Sequence, residues 1–132
     1  MSGTEVRFIN GSCAALVVAG RRGRGGCKPQ LVSLTYRSGL ISFVFRGGDG
    51  QLISFRGRIG HQVGSQTTLK VGHVTTVAGR AGRALVMPAS GSCVLTAFSA
   101  ARSRLECAAQ ARGRRYAALF QASAEPHVQV VL

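Results

Sequence analysis

The sequence of 132 residues predicts an α+β fold in which a small, mostly antiparallel β-sheet packs against one main α-helix at about residues 92–111. Three observations predict it. Apolar and polar residues alternate through much of the first two thirds of the chain. Glycines and an aspartate separate two β-rich runs, and apolar residues at helical spacing follow residue 92. The length and the lack of an internal repeat predict a single domain, 1–132.

The strands are predicted in chain order from their apolar patterns. "TEVRFIN", "CAALVVA" and "QLVSLTY" are the first three, and the glycine- and arginine-rich segment 20–30 is an exposed loop. "LISFVFRGGDGQLISFRGR" reads as a hairpin, because the glycines beside Asp49 tolerate the positive φ angles of a tight turn. "TTLKVGHVTTV" and Ala84–Met87 follow, and Pro88 ends the latter. After the helix, "RRYAALFQ" and "HVQVVL" are further strands.

The helix is predicted from one apolar stripe. Ser92 is a suitable N-cap, and Gly113 follows the last turn. The stripe consists of Val94, Leu95, Phe98, Ala101, Leu105 and Ala108.

Charge is the most unusual property of the chain. Seventeen basic residues, fifteen of them arginine, face four acids, and the formal net charge is +13. Such a field attracts phosphate polyanions and anionic lipid headgroups. Arginine presents a planar fork to phosphate, which favours nucleic acid. A GC-rich genome is the alternative explanation for the preference for arginine over lysine.

Two basic segments are the candidate nucleic-acid-binding sites, and the hairpin tip adds Arg46. The first resembles a short RGG-like tract, which contacts phosphate without reading sequence. Few aromatic residues are present for base stacking, so electrostatic binding is favoured over sequence-specific recognition. A solvated charge run is the alternative interpretation. The two segments supply Arg21, Arg22, Arg24 and Lys28, and Arg112, Arg114 and Arg115.

The four cysteines match neither a zinc motif nor a dense disulfide framework. No signal peptide or membrane-spanning run is recognisable, so we expect reduced thiols in a reducing, intracellular setting, with no metal and no cofactor. Cys13 and Cys27 could close a loop, but that setting disfavours the bond. Cys93 and Cys107, at opposite ends of the predicted helix, would lie ~20 Å apart.

Cys93 is the candidate nucleophile, because a helix N-terminus lowers a thiol pKa and can hold an oxyanion. A thiolate also needs a base. His61 or His73 could supply it, and a structural role for Cys93 is the alternative. The sequence does not decide whether either histidine approaches Cys93.

Residues 28–55 and 83–104 together resemble the H-box and NC-box regions of the H-box/NC family. That family includes the HRAS-like suppressor and lecithin retinol acyltransferase enzymes, and the 2A proteins of some picornaviruses. In the family a helix bears the NC-box cysteine, which corresponds to Cys93 here. The family's two histidine positions are occupied by Ser42 and Ser54, so the resemblance implies the scaffold without the acyl-transfer chemistry.

The resemblance, with the GC-rich composition, favours the kobuvirus- or salivirus-like branch. It implies a non-enzymatic accessory protein of the host cytoplasm that binds viral RNA, host proteins or both during genome replication. Peripheral contact with anionic membranes is compatible with the charge. Two alternatives remain open: a cysteine acyltransferase or phospholipase using Cys93, and a basic RNA-binding or ribosome-associated protein outside that family.

Overall fold

Strands make up nearly all of the chain that the structure describes. The structure, a computed structural model, describes residues 4–22, 26–78, 82–99, 102–123 and 127–131, the last range by its backbone alone. None of these residues is helical. The ten strands are β1 Thr4–Val18, β2 Arg21–Arg22, β3 Cys27–Tyr36, β4 Ile41–Gly47, β5 Leu52–Val63, β6 Gln66–Val77, β7 Ala84–Ser99, β8 Arg102–Ala111, β9 Arg114–Ala122 and β10 His127–Val131.

Eight of the strands close into an antiparallel barrel. From β3 to β9 each strand pairs with the next, β1 pairs with β3, and β9 returns to pair with the second half of β1. The two-residue β2 pairs with the end of β1, and β10 lies beside the first half of β1. Closure gives the backbone groups of both outer strands a partner, which an open sheet of this length would lack.

The prediction of an α+β fold with a main helix is wrong. Residues 92–111 form the second part of β7 and the whole of β8, which pair from Ser90↔Gln110 to Ser99↔Arg102. Between residues 103 and 111 the inward positions are small or apolar, whereas Arg104 and Glu106 lie on the exposed face. This period of two suits a strand in a barrel wall.

The other predicted strands are confirmed over the described residues, which exclude Leu132. The prediction of an exposed loop at 20–30 is wrong in part, because that range contains β2 and the first four residues of β3. The hairpin around Gly47–Gly48–Asp49–Gly50 joins β4 to β5, with Arg46 paired with Leu52 across the turn. The first two predicted strands are one continuous strand, β1, with a register shift between Cys13 and Ala15. Pro88 does not end its strand, because β7 continues through an irregularity opposite Val71 and His73.

One half of the barrel interior is filled. Phe45 and Phe55 meet edge to face with ring centroids 5.9 Å apart, and both are fully buried. The Tyr116 hydroxyl, 3.8 Å from the Met87 sulfur, lies in the same core.

We call the filled half of the barrel the closed end, which carries the turns at 19–20, 48–51 and 112–113. The opposite, open end carries the turns at 37–40 and 64–65.

Both cysteine pairs are disulfides, so the prediction of reduced thiols is wrong. Cys13 on β1 is bonded to Cys27 on β3, with their Cα atoms 5.6 Å apart. Cys93 and Cys107 are bonded partners in the β7–β8 register, with a Cα separation of 4.0 Å rather than ~20 Å. A hairpin brings together residues that a helix would hold apart. Because disulfides persist mainly in oxidising compartments, the argument from free thiols to a reducing compartment no longer holds.

Candidate nucleic-acid interface

The two basic segments predicted from the sequence meet at the closed end. The Gly20 amide donates a hydrogen bond to the Arg115 carbonyl at 2.7 Å, which ties the β1–β2 turn to the start of β9. Both turns are tight for the same reason. Ala19 and Gly20 have φ of 53° and 81°, and Arg112 and Gly113 have φ of 53° and 73°. Two successive positive φ angles are typical of type I′ hairpin turns, which match the twist of the flanking strands.

Eight exposed basic side chains surround these turns. Each is at or next to the end of a strand, where the chain leaves the barrel wall to form a turn. None of the eight has an ion-pair or hydrogen-bond partner within the described part of the chain. We call them the basic end: Arg21, Arg22, Lys28, Arg46, Arg83, Arg112, Arg114 and Arg115.

The sequence located most of this surface but not all of it. Arg24, which belongs to the first predicted segment, lies outside the described residues. Arg83, just before β7, was missed because Arg80 is its one basic neighbour in sequence and the two were not recognised as a basic segment. The sequence clue to Arg83 was its position directly before a predicted strand. In the structure Ala84 pairs with Val77, so the β6–β7 connection, and Arg83 with it, lies at the same end of the barrel.

Acidic groups are scarce at the basic end. Asp49, at the tip of the β4–β5 turn, is the one carboxylate that the described residues place there, and its Oδ1 accepts a hydrogen bond from the Gln51 amide at 3.0 Å. Glu5 and Glu106 each pair with an arginine elsewhere. The positive charge of the basic end is therefore largely uncompensated, and its field extends into solvent.

Aromatic side chains at the closed end point into the core instead of the solvent. Phe45, Phe55 and Tyr116 are all buried. The most exposed aromatic residue of the described chain, Phe98, lies on the outer wall near the end of β7, towards the open end. The described residues of the basic end thus offer charge and flat donor groups for phosphates but no exposed aromatic side chain for base stacking.

Cys93 does not begin a helix. It lies within β7, is 1 % exposed, and its sulfur is bonded to Cys107. The prediction of a nucleophilic cysteine was based on a helix dipole and free amide groups, and neither is present at this position in a strand. In the disulfide form no thiol is present for a base to activate.

The other residues considered for an acyl-transfer site are dispersed over the barrel wall. Ser42 is buried on β4 between Leu34 and Arg56, and Ser54 is half-buried on β5 between Val44 and Thr75. His61 is exposed near the end of β5, and His73 lies beside Pro88. The part of the chain that the structure describes contains no group of three His, Cys, Asp or Glu side chains able to hold a metal.

Comparisons with models of known protein families, with curated proteins and with solved structures found no match for this chain. The fold and the charged surface define the class of protein as a basic, closed, eight-stranded antiparallel barrel. Among the described residues, no helix is long and apolar enough to cross a membrane.

Proposed function

We propose that this chain is a non-enzymatic binding protein that holds RNA by its phosphates at the basic end. The observation that supports it most directly is the hydrogen bond from Gly20 to Arg115, which joins two basic segments more than eighty residues apart in sequence into one surface. Eight exposed cations that have no ion-pair partner among the described residues lie at this one end, and such a cluster attracts a phosphate backbone more strongly than isolated surface charges do.

The chemistry of the basic end favours RNA phosphates over a specific base sequence. Seven of its eight side chains are arginines, whose guanidinium forks bind phosphate oxygens bidentately. Because aromatic side chains are buried there, affinity comes from phosphate contacts and depends little on base identity. We therefore expect similar affinities for single-stranded RNAs of different sequence and equal length.

The proposal is tested by the salt dependence of binding to a fluorescent 20-nucleotide single-stranded RNA. Each neutralised phosphate contributes about −0.7 to the slope of log K against log salt. Replacing Arg112, Arg114 and Arg115 by glutamine is expected to reduce the magnitude of this slope by about 2. The dissociation constant at low salt is expected to rise roughly tenfold or more.

A second triple variant separates a local site from the general field of the molecule. Lys70, Arg102 and Arg104 are exposed basic residues outside the basic end, so K70Q/R102Q/R104Q removes the same charge from the barrel wall and its open end. We expect this control to change affinity much less than the variant at the basic end. Equal losses in the two variants, or no binding of RNA at low salt, would refute the proposal.

A further inference from the structure

The open end of the barrel contains a cavity that the RNA-binding surface does not use. A space of about 320 Å³ lies at the mouth, and a second of about 120 Å³ lies deeper in the barrel. Both spaces are lined by Arg7, Ser33, Phe43 and Leu95, so they adjoin one another. The larger space is at the lower end of the ~300–1,000 Å³ typical of small-molecule sites. Strands form its walls, which leaves little to reorganise on binding.

The charged side chains of the cavity are Glu5 and Arg7, and most of the remaining lining is apolar in both spaces. The deeper part of the cavity is walled by Leu31, Leu105 and Phe120, all buried. The mouth is lined by Glu5, Arg7 and Thr35 as well as by apolar side chains. A ligand that fits this lining has an apolar body and one polar or charged head.

Arg7 determines which head is favoured. Its Nε donates to the Glu5 carboxylate at 2.6 Å, and its side chain is 48 % exposed at the mouth. A guanidinium has five N–H donors. The other four have no acceptor within the described part of the chain, and Arg7 lines both spaces.

The same pair disfavours a cationic head. Glu5 is the one carboxylate among the residues that line the cavity, and Arg7 already engages it. The net charge of +13 adds a field that repels cations from the whole molecule.

We propose that this cavity binds small apolar carboxylates, with the carboxylate on the free guanidinium edge of Arg7 and the hydrocarbon part between Phe43 and Leu95. At ~30 Å³ for each water-sized group, the space of about 320 Å³ holds roughly eleven non-hydrogen atoms, and the adjoining space of about 120 Å³ holds roughly four more. Decanoate, with twelve, is therefore a suitable probe. The proposal does not depend on RNA binding, which uses the opposite end.

Calorimetric titration with decanoate tests the site in the intact protein at physiological salt. Saturable binding with one site per chain is expected, and R7Q should weaken it about tenfold, since a charge-assisted contact is lost. E5Q should strengthen binding several-fold, because it removes a like charge beside the ligand head. Decanol should bind more weakly than decanoate.

The chain offers a matched control for Arg7. Arg104 and Glu106 form the same pairing two residues apart, at 3.1 Å, on the outer wall of β8. R104Q should leave decanoate affinity unchanged. Equal weakening by R7Q and R104Q would show that only the general charge attracts the probe, and would overturn the proposal.

Two further outcomes would also overturn it: no saturable binding of decanoate, or tighter binding of decyltrimethylammonium than of decanoate. Nuclear magnetic resonance of the unmodified protein gives an answer even if R7Q does not fold. Decanoate is expected to shift the methyl signals of Leu69 and Leu95, which line the mouth, and to leave Leu16 at the closed end unchanged. The reverse pattern would contradict the site.

Discussion

At the scale of single residues, side-chain size explains how the barrel is filled. The inward positions of β8 and β9 include Ala109, Ala111 and Ala118, all buried, and these small side chains leave room for the large rings of Phe45 and Phe55. Pairing small with large side chains lets a narrow barrel pack without voids. The alternation of apolar residues was visible in the sequence, but which large side chain faces which small one depends on register and was not.

Two glycines of β5 differ in how closely another strand approaches them. A Cβ atom added at Gly57 would collide with the backbone carbonyl of Lys70. A Cβ atom added at Gly60 would lie 3.7 Å from its nearest neighbour, the Cβ of Lys70, which is an ordinary contact. We therefore predict that Gly57→Ala lowers the free energy of unfolding by about 1–3 kcal/mol, because strands β5 and β6 must separate to admit the methyl group.

Gly60→Ala is the matched control, and urea denaturation measures both variants. Gly60→Ala should change the free energy of unfolding by less than about 0.5 kcal/mol, because residue 60 is exposed and a methyl group there makes only ordinary van der Waals contact. Equal stability of the two variants would contradict the close approach of β6 to Gly57.

At the scale of elements, the β7–β8 hairpin is where the sequence misled the prediction. Leu95, Phe98 and Leu105 fit a helical stripe, and the alanines around them favour helix intrinsically. The same residues also fit two alternating strands, with Leu95 opposite Leu105. Pairing with β6 on one side and β9 on the other outweighs the local preference, and those partners are remote in sequence.

Of the hairpins with glycine-containing turns, the β4–β5 hairpin is the one that was recognised from the sequence. The β4–β5 hairpin was predicted correctly from its Gly-Gly-Asp-Gly sequence. The Arg112–Gly113 turn carries similar information, but Gly113 was assigned to the end of a helix instead. That one assignment concealed the strand pairing that places Cys93 opposite Cys107.

Removing either disulfide should destabilise the barrel by a similar amount. Both close loops of the same sequence separation, 14 residues, and the chain-entropy relation gives about 3 kcal/mol for each. We predict this loss for C13S/C27S and for C93S/C107S in urea denaturation. Peptide mapping without reduction should recover the pairs Cys13–Cys27 and Cys93–Cys107, and any other pairing would contradict the strand register.

The two disulfides should differ in their effect on RNA binding. Cys13–Cys27 closes the segment that carries Arg21 and Arg22, whereas Cys93–Cys107 lies inside the barrel. We predict that C13S/C27S weakens RNA binding several-fold, because the basic segment loses a fixed position and must be ordered on binding. C93S/C107S, tested at a temperature where it remains folded, should bind RNA as the unmodified protein does.

At the scale of the whole molecule, the barrel separates two kinds of surface. Its closed end has a packed aromatic core beneath uncompensated basic turns, and its open end has a cavity with a single paired arginine. The sequence predicted the basic segments and their preference for phosphate. It did not predict that they meet, because that depends on β9 returning to β1. Nor could it predict the cavity, which exists only once the sheet closes.

Because the cations of the basic end repel one another, neutralising some of them should not unfold the protein. We predict that R112Q/R114Q/R115Q keeps the thermal unfolding midpoint of the unmodified chain or raises it slightly, measured at low salt where the repulsion is largest. A marked fall in the midpoint would mean that these side chains support the fold, in contrast to their exposed and unpaired positions.

RNA binding at the basic end is tested most directly by a backbone amide chemical-shift map of the protein titrated with single-stranded RNA. We expect shifts concentrated in the β1–β2 turn, the β4–β5 turn and the β8–β9 turn, which are far apart in sequence and together at the closed end. Shifts confined to one of these segments, spread evenly over the barrel, or centred on the open end around Arg7 would contradict binding at the basic end.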